Sequence, residues 1–144
     1  MPTPLIREAS MADIDRVLQF WVRAGAHPSA TDNPHDLARV VAAPQSTLLV
    51  AVAVDVDGST GIVGSLIATF DGWRGNFYRL AVDPGHRRRG LARRLVGEGE
   101  RWLSGAGATR LSALVEGDRP VAQAFWESVG FEHYEGMRRY SKNG

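Results

Sequence analysis

Apolar residues recur at Ile14, Val17, Leu18, Trp21 and Val22, the spacing of one helix face. This predicts a helix over about Met11 to Ala24, with Ser10 as N-cap and Asp13 in the capping-box position. A short strand, Pro4 to Arg7, precedes it. Gly25 through Asn33 reads as a loop. Asn33-Pro34 opens a second, shorter helix, because Asn caps, Pro suits the first turn and Asp36 favours the dipole. Leu37, Val40 and Val41 form its apolar face.

The period then changes from helical to extended. Thr47 to Val56 is rich in β-branched residues, and Asp57-Gly58 is a hairpin turn signal. Gly61 to Phe70 returns, Asp71 to Gly75 turns, and Asn76 to Val82 forms a third strand of an antiparallel meander. Asp83-Pro84-Gly85 ends it. Gly90 to Leu103 reads as a helix with Leu91, Leu95, Val96 and Trp102 inward, stopped by Gly105 and Gly107. Arg110 to Val115 is a strand. Pro120 opens a helix with Val121, Ala124, Phe125 and Val129 along one side, and Gly130 stops it. Phe131 to Tyr134 and Met137 to Ser141 are predicted as two last strands around Glu135-Gly136. The order predicts an α+β fold, with one central mixed, mostly antiparallel sheet flanked by about four helices, in a single domain over 1–144.

Composition narrows the classes. The chain has 144 residues, 44% hydrophobic and 23% charged. That suits one domain with its own core and argues against disorder. The absence of cysteine excludes disulfides, thiolate metal sites and a thiol nucleophile. With 17 Lys plus Arg against 16 Asp plus Glu, the net charge of +1 argues against a general nucleic-acid coat protein. The longest clean apolar run, Leu48 to Val54, is far shorter than the ~20 residues a membrane span needs. Arg7 and Glu8 interrupt the start before a secretory signal could form, so a cytoplasmic protein is expected, with no membrane partner.

The most informative stretch runs from Leu80 to Arg94, joining a strand to a helix through the basic loop His86-Arg87-Arg88-Arg89-Gly90. Backbone N–H groups at a helix start are unpaired within the helix, and the dipole adds positive potential. Such a site suits a phosphate or pyrophosphate. Gly90 permits close approach, Ala92 keeps the next turn clear, and the arginines add charge and planar donors. A P-loop is not supported, because Leu91-Ala92 replaces its Lys-Ser/Thr. No Gly-x-Gly-x-x-Gly follows a strand.

Arg87-Arg88-Arg89-Gly90-Leu91-Ala92, set between strand and helix, resembles the acetyl-CoA signature of the GNAT superfamily of N-acetyltransferases, Gln/Arg-x-x-Gly-x-Gly/Ala. Leu80-Ala81-Val82-Asp83-Pro84 is similar to the family's preceding strand. Pro120 to Phe131 resembles its second motif, a helix ending in Gly-Phe. The resemblance implies a GNAT-like acyl-CoA N-acyltransferase fold and acetyl-CoA as co-substrate, with a primary amine of a small molecule or peptide as acceptor. It implies that Leu80, Ala81 and Val82 face the pantetheine arm and that amides from Arg88 to Arg93 cradle the pyrophosphate. Val82 N–H is the implied oxyanion donor. Arg119 stands where an asparagine often meets the pantetheine arm, and Trp126 packs near that arm. A homodimer is allowed by analogy only.

The resemblance departs at the acid and base. Asn76 stands where many members have glutamate, and Trp126 where many have the tyrosine that protonates the thiolate. Tyr78 is a substitute candidate, on one face with Asn76, Leu80 and Val82 if alternation holds. Its simpler reading is an amphipathic strand residue. Glu116 and Tyr134, the latter beside His133, are further candidates, and Glu116 also reads as a solvated strand end. His27 lies in the loop after the first helix. The four histidines lack helical metal spacing, so no metal is expected. Acceptor choice is expected to depend on the loop 25–33, the 71–75 turn with Trp73 and Arg74, and the 134–137 turn. The alternatives are a non-catalytic acyl-CoA-binding module on this fold and a small nucleic-acid-binding domain using the arginine cluster. The balanced charge disfavours the second.

Overall fold

A computed structural model describes residues 3–115 and 119–144 of the chain. Strand β1 is Leu5–Glu8, helix α1 Ile14–Arg23, helix α2 Pro34–Ala42, strand β2 Ser46–Val54, strand β3 Thr60–Phe70 and strand β4 Gly75–Val82. Helix α3 is Leu91–Ala106, strand β5 Leu111–Ala113 and helix α4 Pro120–Ser128. The sheet order is β1-β2-β3-β4-β5. The first three pairings are antiparallel and β4 with β5 is parallel. Short turns suffice for the former, whereas a parallel pair needs a crossover, which α3 supplies.

Alternation along the strands makes two cores, one on each face. Leu49, Leu66, Ala68 and Phe77 meet Leu91, Leu95, Val96 and Leu103 of α3 and Trp126 of α4. Leu48, Val50, Ile62 and Ile67 meet Ile14, Val17, Phe20 and Trp21 of α1 and Leu37 of α2. Phe20 rather than Val22 completes the inward stripe of α1, and Val22 is exposed.

Two expectations about element ends are corrected. Helix α3 runs through Gly105 and stops at Gly107, whose φ of +106° turns its amide back to the carbonyls of Leu103 and Ser104. Residues 131–144 form no strand. Phe131 alone in that segment packs against a core, while Met137 and Tyr140 are exposed. Arg138-Arg139 breaks the alternation that would bury a strand face, so ordering the backbone would not be offset.

Strand β1 is pinned to the start of α1 by charge. Asp13, 4% exposed, takes two bonds from the Arg7 guanidinium at 2.7 and 3.0 Å and one from the Ser10 amide at 2.8 Å. Arg7 chiefly holds the Asp13 carboxyl far below the usual carboxylate range. The depressed value means that ionised Asp13 stabilises the fold fully above about pH 4, the unfolded value. That contribution is lost as pH falls further. Asp13→Asn is expected to cost about 1.5–3 kcal/mol at pH 7. In urea titrations the gap between wild type and variant should narrow from pH 5 towards pH 2; a constant gap contradicts this.

Candidate acyl-CoA site

Among the described residues, β4 and β5 part after a short ladder. Strand β4 pairs with β5 only over Gly75–Phe77 against Leu111–Ala113. The last tie is Leu114 N–H donating to Phe77 O at 3.5 Å. Beyond it, Tyr78 to Val82 keep β3 on one side and, among the described residues, have no paired strand on the other.

A bulge divides the paired and the open halves of β4. Ser65 faces Ala81 and Ile67 faces Tyr78, so β4 carries one extra residue against Leu66. Arg79 takes up the distortion with φ +58°. A left-handed residue with a side chain costs about 1–2 kcal/mol. The surroundings hold it there. Ser65 Oγ–H donates to Arg79 O at 2.8 Å, and Trp21 Nε1–H donates to Ser65 Oγ at 2.8 Å.

The extra residue inverts the side-chain phase, and this corrects the placement of Tyr78. Phe77, Leu80 and Val82 pack on the α3/α4 side, whereas Tyr78 and Ala81 pack on the α1/α2 side. Tyr78 therefore does not share a face with Leu80 and Val82. A signal for this lay in the sequence: strict alternation would put Arg79 on the buried face of Phe77.

Backbone direction follows from one bond. Asp83 N–H donates to Val63 O at 2.8 Å, and Ala81 is paired with Ser65. Alternation then turns the N–H and C=O groups of Val82 and Leu80 to the open edge. Arg87 Nε–H donates to the Val82 carbonyl at 3.2 Å, and Arg87 Nη2 lies 3.5 Å from Ala24 O. The Arg87 side chain thus bridges the strand edge and the end of α1.

The loop after β4 is built around Asp83. Its Oδ2 accepts from Gly85 N–H at 3.1 Å and lies 3.2 Å from His86 Nδ1, and its Oδ1 is 3.9 Å from Arg23 Nε. Arg88 and Gly90 then both adopt positive φ, +63° and +76°. Gly90 is the N-cap of α3 and offers no side-chain acceptor, and the first helical bond is Arg94 N–H to Gly90 O. The amides of Arg88 through Arg93 have no protein acceptor among the described residues. Left-handed turns and a bare helix start are the backbone geometry on which anion-binding concavities are built. Leu91 is buried and Ala92 half-buried, while the side chains of Arg88, Arg89 and Arg93 are exposed. An open groove of about 430 Å³ adjoins Arg93, lined by Val96, Gly97 and Glu100 of α3 and by Ser128 to Gly130.

The other expected residues scatter. Trp126, 9% exposed, stacks on Phe77 with centroids 6.0 Å apart and meets Phe131 edge-on at 5.0 Å. Arg119 is exposed at the start of α4. Tyr134 Oη accepts from Arg110 Nη2–H at 3.2 Å. The Arg110 carbonyl accepts from Gly75 N–H at 2.9 Å, at the end of β4 opposite Val82. Glu116 lies outside the described residues. His27 is exposed, and its carbonyl accepts from Arg79.

Comparison with known proteins gives a consistent picture. The profile of the family described as "Acetyltransferase (GNAT) family" matches residues 14–131. The solved structure of AAC(6')-Iy in complex with the bisubstrate analogue CoA-S-monomethyl-acetylneamine is similar to this chain with a TM-score of 0.78 and 19% identity, over 99% of this chain and 100% of that one. The apo aminoglycoside antibiotic 6'-N-acetyltransferase AAC(6')-IG from Acinetobacter haemolyticus gives 0.75 and 22%, over 96% and 98%. An acetyltransferase of Trypanosoma brucei gives 0.71 and 20%, over 96% and 99%.

Proposed function

Because the chain belongs to the acetyltransferase (GNAT) family, we propose that it moves the acetyl group of acetyl-CoA onto a primary amine of a small molecule. The observation that carries this is the run of amides from Arg88 to Arg93 that have no protein acceptor among the described residues, placed just beyond a strand edge that no other described strand covers. The two features match the two chemical ends of the co-substrate. A diphosphate needs several converging N–H donors and a close backbone approach. A pantetheine arm carries amides that can lie along β4 as an added strand does. Small-molecule acceptance is supported by fold similarity to aminoglycoside acetyltransferases.

In the reaction the amine nitrogen attacks the thioester carbonyl. The C–S bond breaks, coenzyme A leaves as thiol, and the proton lost by the amine balances the one the thiolate gains. Val82 N–H is the proposed donor to the oxyanion, and Leu80 N–H shares its edge. One such donor contributes about 2.7–4 kcal/mol. An alkyl amine of pKa ~10.4 pays ~4.6 kcal/mol to be neutral at pH 7. Juxtaposing two bound reactants contributes about 7–11 kcal/mol, so orientation outweighs deprotonation. This suits a site where Asn76 is not a base and the Trp126 indole N–H is a donor but not a useful acid. Tyr78, which packs on the α1/α2 side of the sheet, and Glu116 remain proposed candidates.

The test is free-thiol release from acetyl-CoA with a panel of neamine, spermidine, L-lysine, tyramine and a short peptide. Amine-dependent, steady release supports the enzyme. Calorimetric binding of acetyl-CoA without release by any amine supports the non-catalytic module, for which the indole in place of a phenol is the motivating observation. No binding at millimolar acetyl-CoA overturns both.

A further inference from the structure

The loop between α1 and α2, residues 24–33, has few apolar side chains with which to hold itself in place. Its internal order comes from polar contacts around Asp32. The Asp32 amide donates to Ser29 O at 3.1 Å, and the Ser29 amide donates to Asp32 Oδ2 at 3.0 Å. The same Oδ2 takes a charged bond from Arg79 Nη2 at 2.5 Å, while Arg79 Nη1 donates to His27 O at 2.8 Å. One planar fork thus grips the loop at two points five residues apart. The pair is largely withdrawn from water, with side-chain exposures of 18% and 19%. It is therefore unlike the exposed ion pairs that contribute little.

The other end of Arg79 is the bulge that divides the paired and open halves of β4. Its carbonyl is held through Ser65 by the Trp21 indole, and its guanidinium lies over that same indole at 5.2 Å. Arginine is an expensive choice for a left-handed position that glycine occupies freely. What distinguishes it there is the side chain.

We infer that Arg79, through Asp32, is a positioning residue that clasps the α1–α2 loop to the bulge and so sets the amine side of the site relative to the open edge of β4. This rests on the acetyl-transfer reading for its functional consequence, but its physical content does not. Breaking the clasp should loosen the loop and weaken use of the amine, while the anion-binding turn after β4, tied by Asp83 instead, keeps its affinity for the co-substrate.

Arg79→Gly separates clasp from bulge, because glycine favours the positive φ and should retain the strand geometry. Asp32→Asn removes the other partner without touching β4. In both variants hydrogen exchange at the amides of Ser29, Thr31 and Asp32 should accelerate by about tenfold or more, with β2 and β3 unchanged. Calorimetric affinity for acetyl-CoA should stay within about twofold, and KM for the panel amine turned over fastest should rise about tenfold. The double variant should be no worse than Arg79→Gly alone, since Asp32 acts on the clasp through Arg79. Arg79→Lys, which keeps charge but loses the fork, should fall between. Unchanged exchange in both single variants overturns the clasp, as does a parallel loss of acetyl-CoA affinity. If the wild type binds no acetyl-CoA, the functional reading fails, and the exchange result still decides the clasp.

Discussion

Gly90→Val should weaken acetyl-CoA binding by about 100-fold or more, near 2.7 kcal/mol, and leave the protein folded. The φ of +76° at Gly90 disfavours any side chain by about 1–2 kcal/mol, and a β-branched one most. A Cβ built there meets no atom within 4 Å, so nothing in the core is displaced. The substitution acts on the loop alone: it strains the turn that presents the amides and fills the space a phosphate must enter. Calorimetry with acetyl-CoA and a thermal melt read the two halves of the expectation. Gly90→Ala should give an intermediate loss. Wild-type affinity in the valine variant would remove this turn from the site.

Gly99→Ala should destabilise the fold by about 1–3 kcal/mol, and Gly99→Val by the upper end of that range or more. A Cβ at Gly99 would stand 2.6 Å from Phe77 Cε1 and 2.9 Å from Leu66 Cδ2. Both neighbours are core residues, 1% and 0% exposed, so neither can swing aside into solvent. The overpacking outweighs the ~0.5–1 kcal/mol that alanine gains over glycine in a helix. Two residues earlier the sign reverses. A Cβ at Gly97 meets nothing within 4 Å, so Gly97→Ala keeps that gain and should raise Tm by a few degrees. Urea titration of the two alanine variants checks the pair; a shift of the same sign in both would refute the close approach of α3 to the sheet at Gly99.

The meander, the crossover helix and the bare, arginine-rich turn before it were legible in the chain because each is written in local chemistry. Asp57-Gly58 marks a hairpin, and Gly58 indeed has φ +82°. Gly90 after three arginines marks a bare helix start. The bulge was not recovered, because alternation assumes an unbroken register, and the partners that stabilise Arg79 in its odd conformation come from Trp21, His27, Asp32 and Ser65. These contacts are distant in sequence and carry no periodic signature. The need for Gly99 was hidden for the same reason: it is a demand of Phe77 across the sheet, not of α3. The last two strands failed in the opposite way. Tyr134, Met137 and Tyr140 are suitable strand residues, but propensity without a face to bury does not make a strand.

The shortness of the β4–β5 ladder has a consequence for how the molecule resists heat. Three parallel pairs and a helix tie the last quarter of the chain to the rest, and among the described residues the two edges then part. Anything lying between them with its own donors and acceptors acts as a zipper tooth shared by both halves. If acetyl-CoA lies in this opening as proposed, it would stitch the two halves together, and thermal cooperativity should sharpen when it binds.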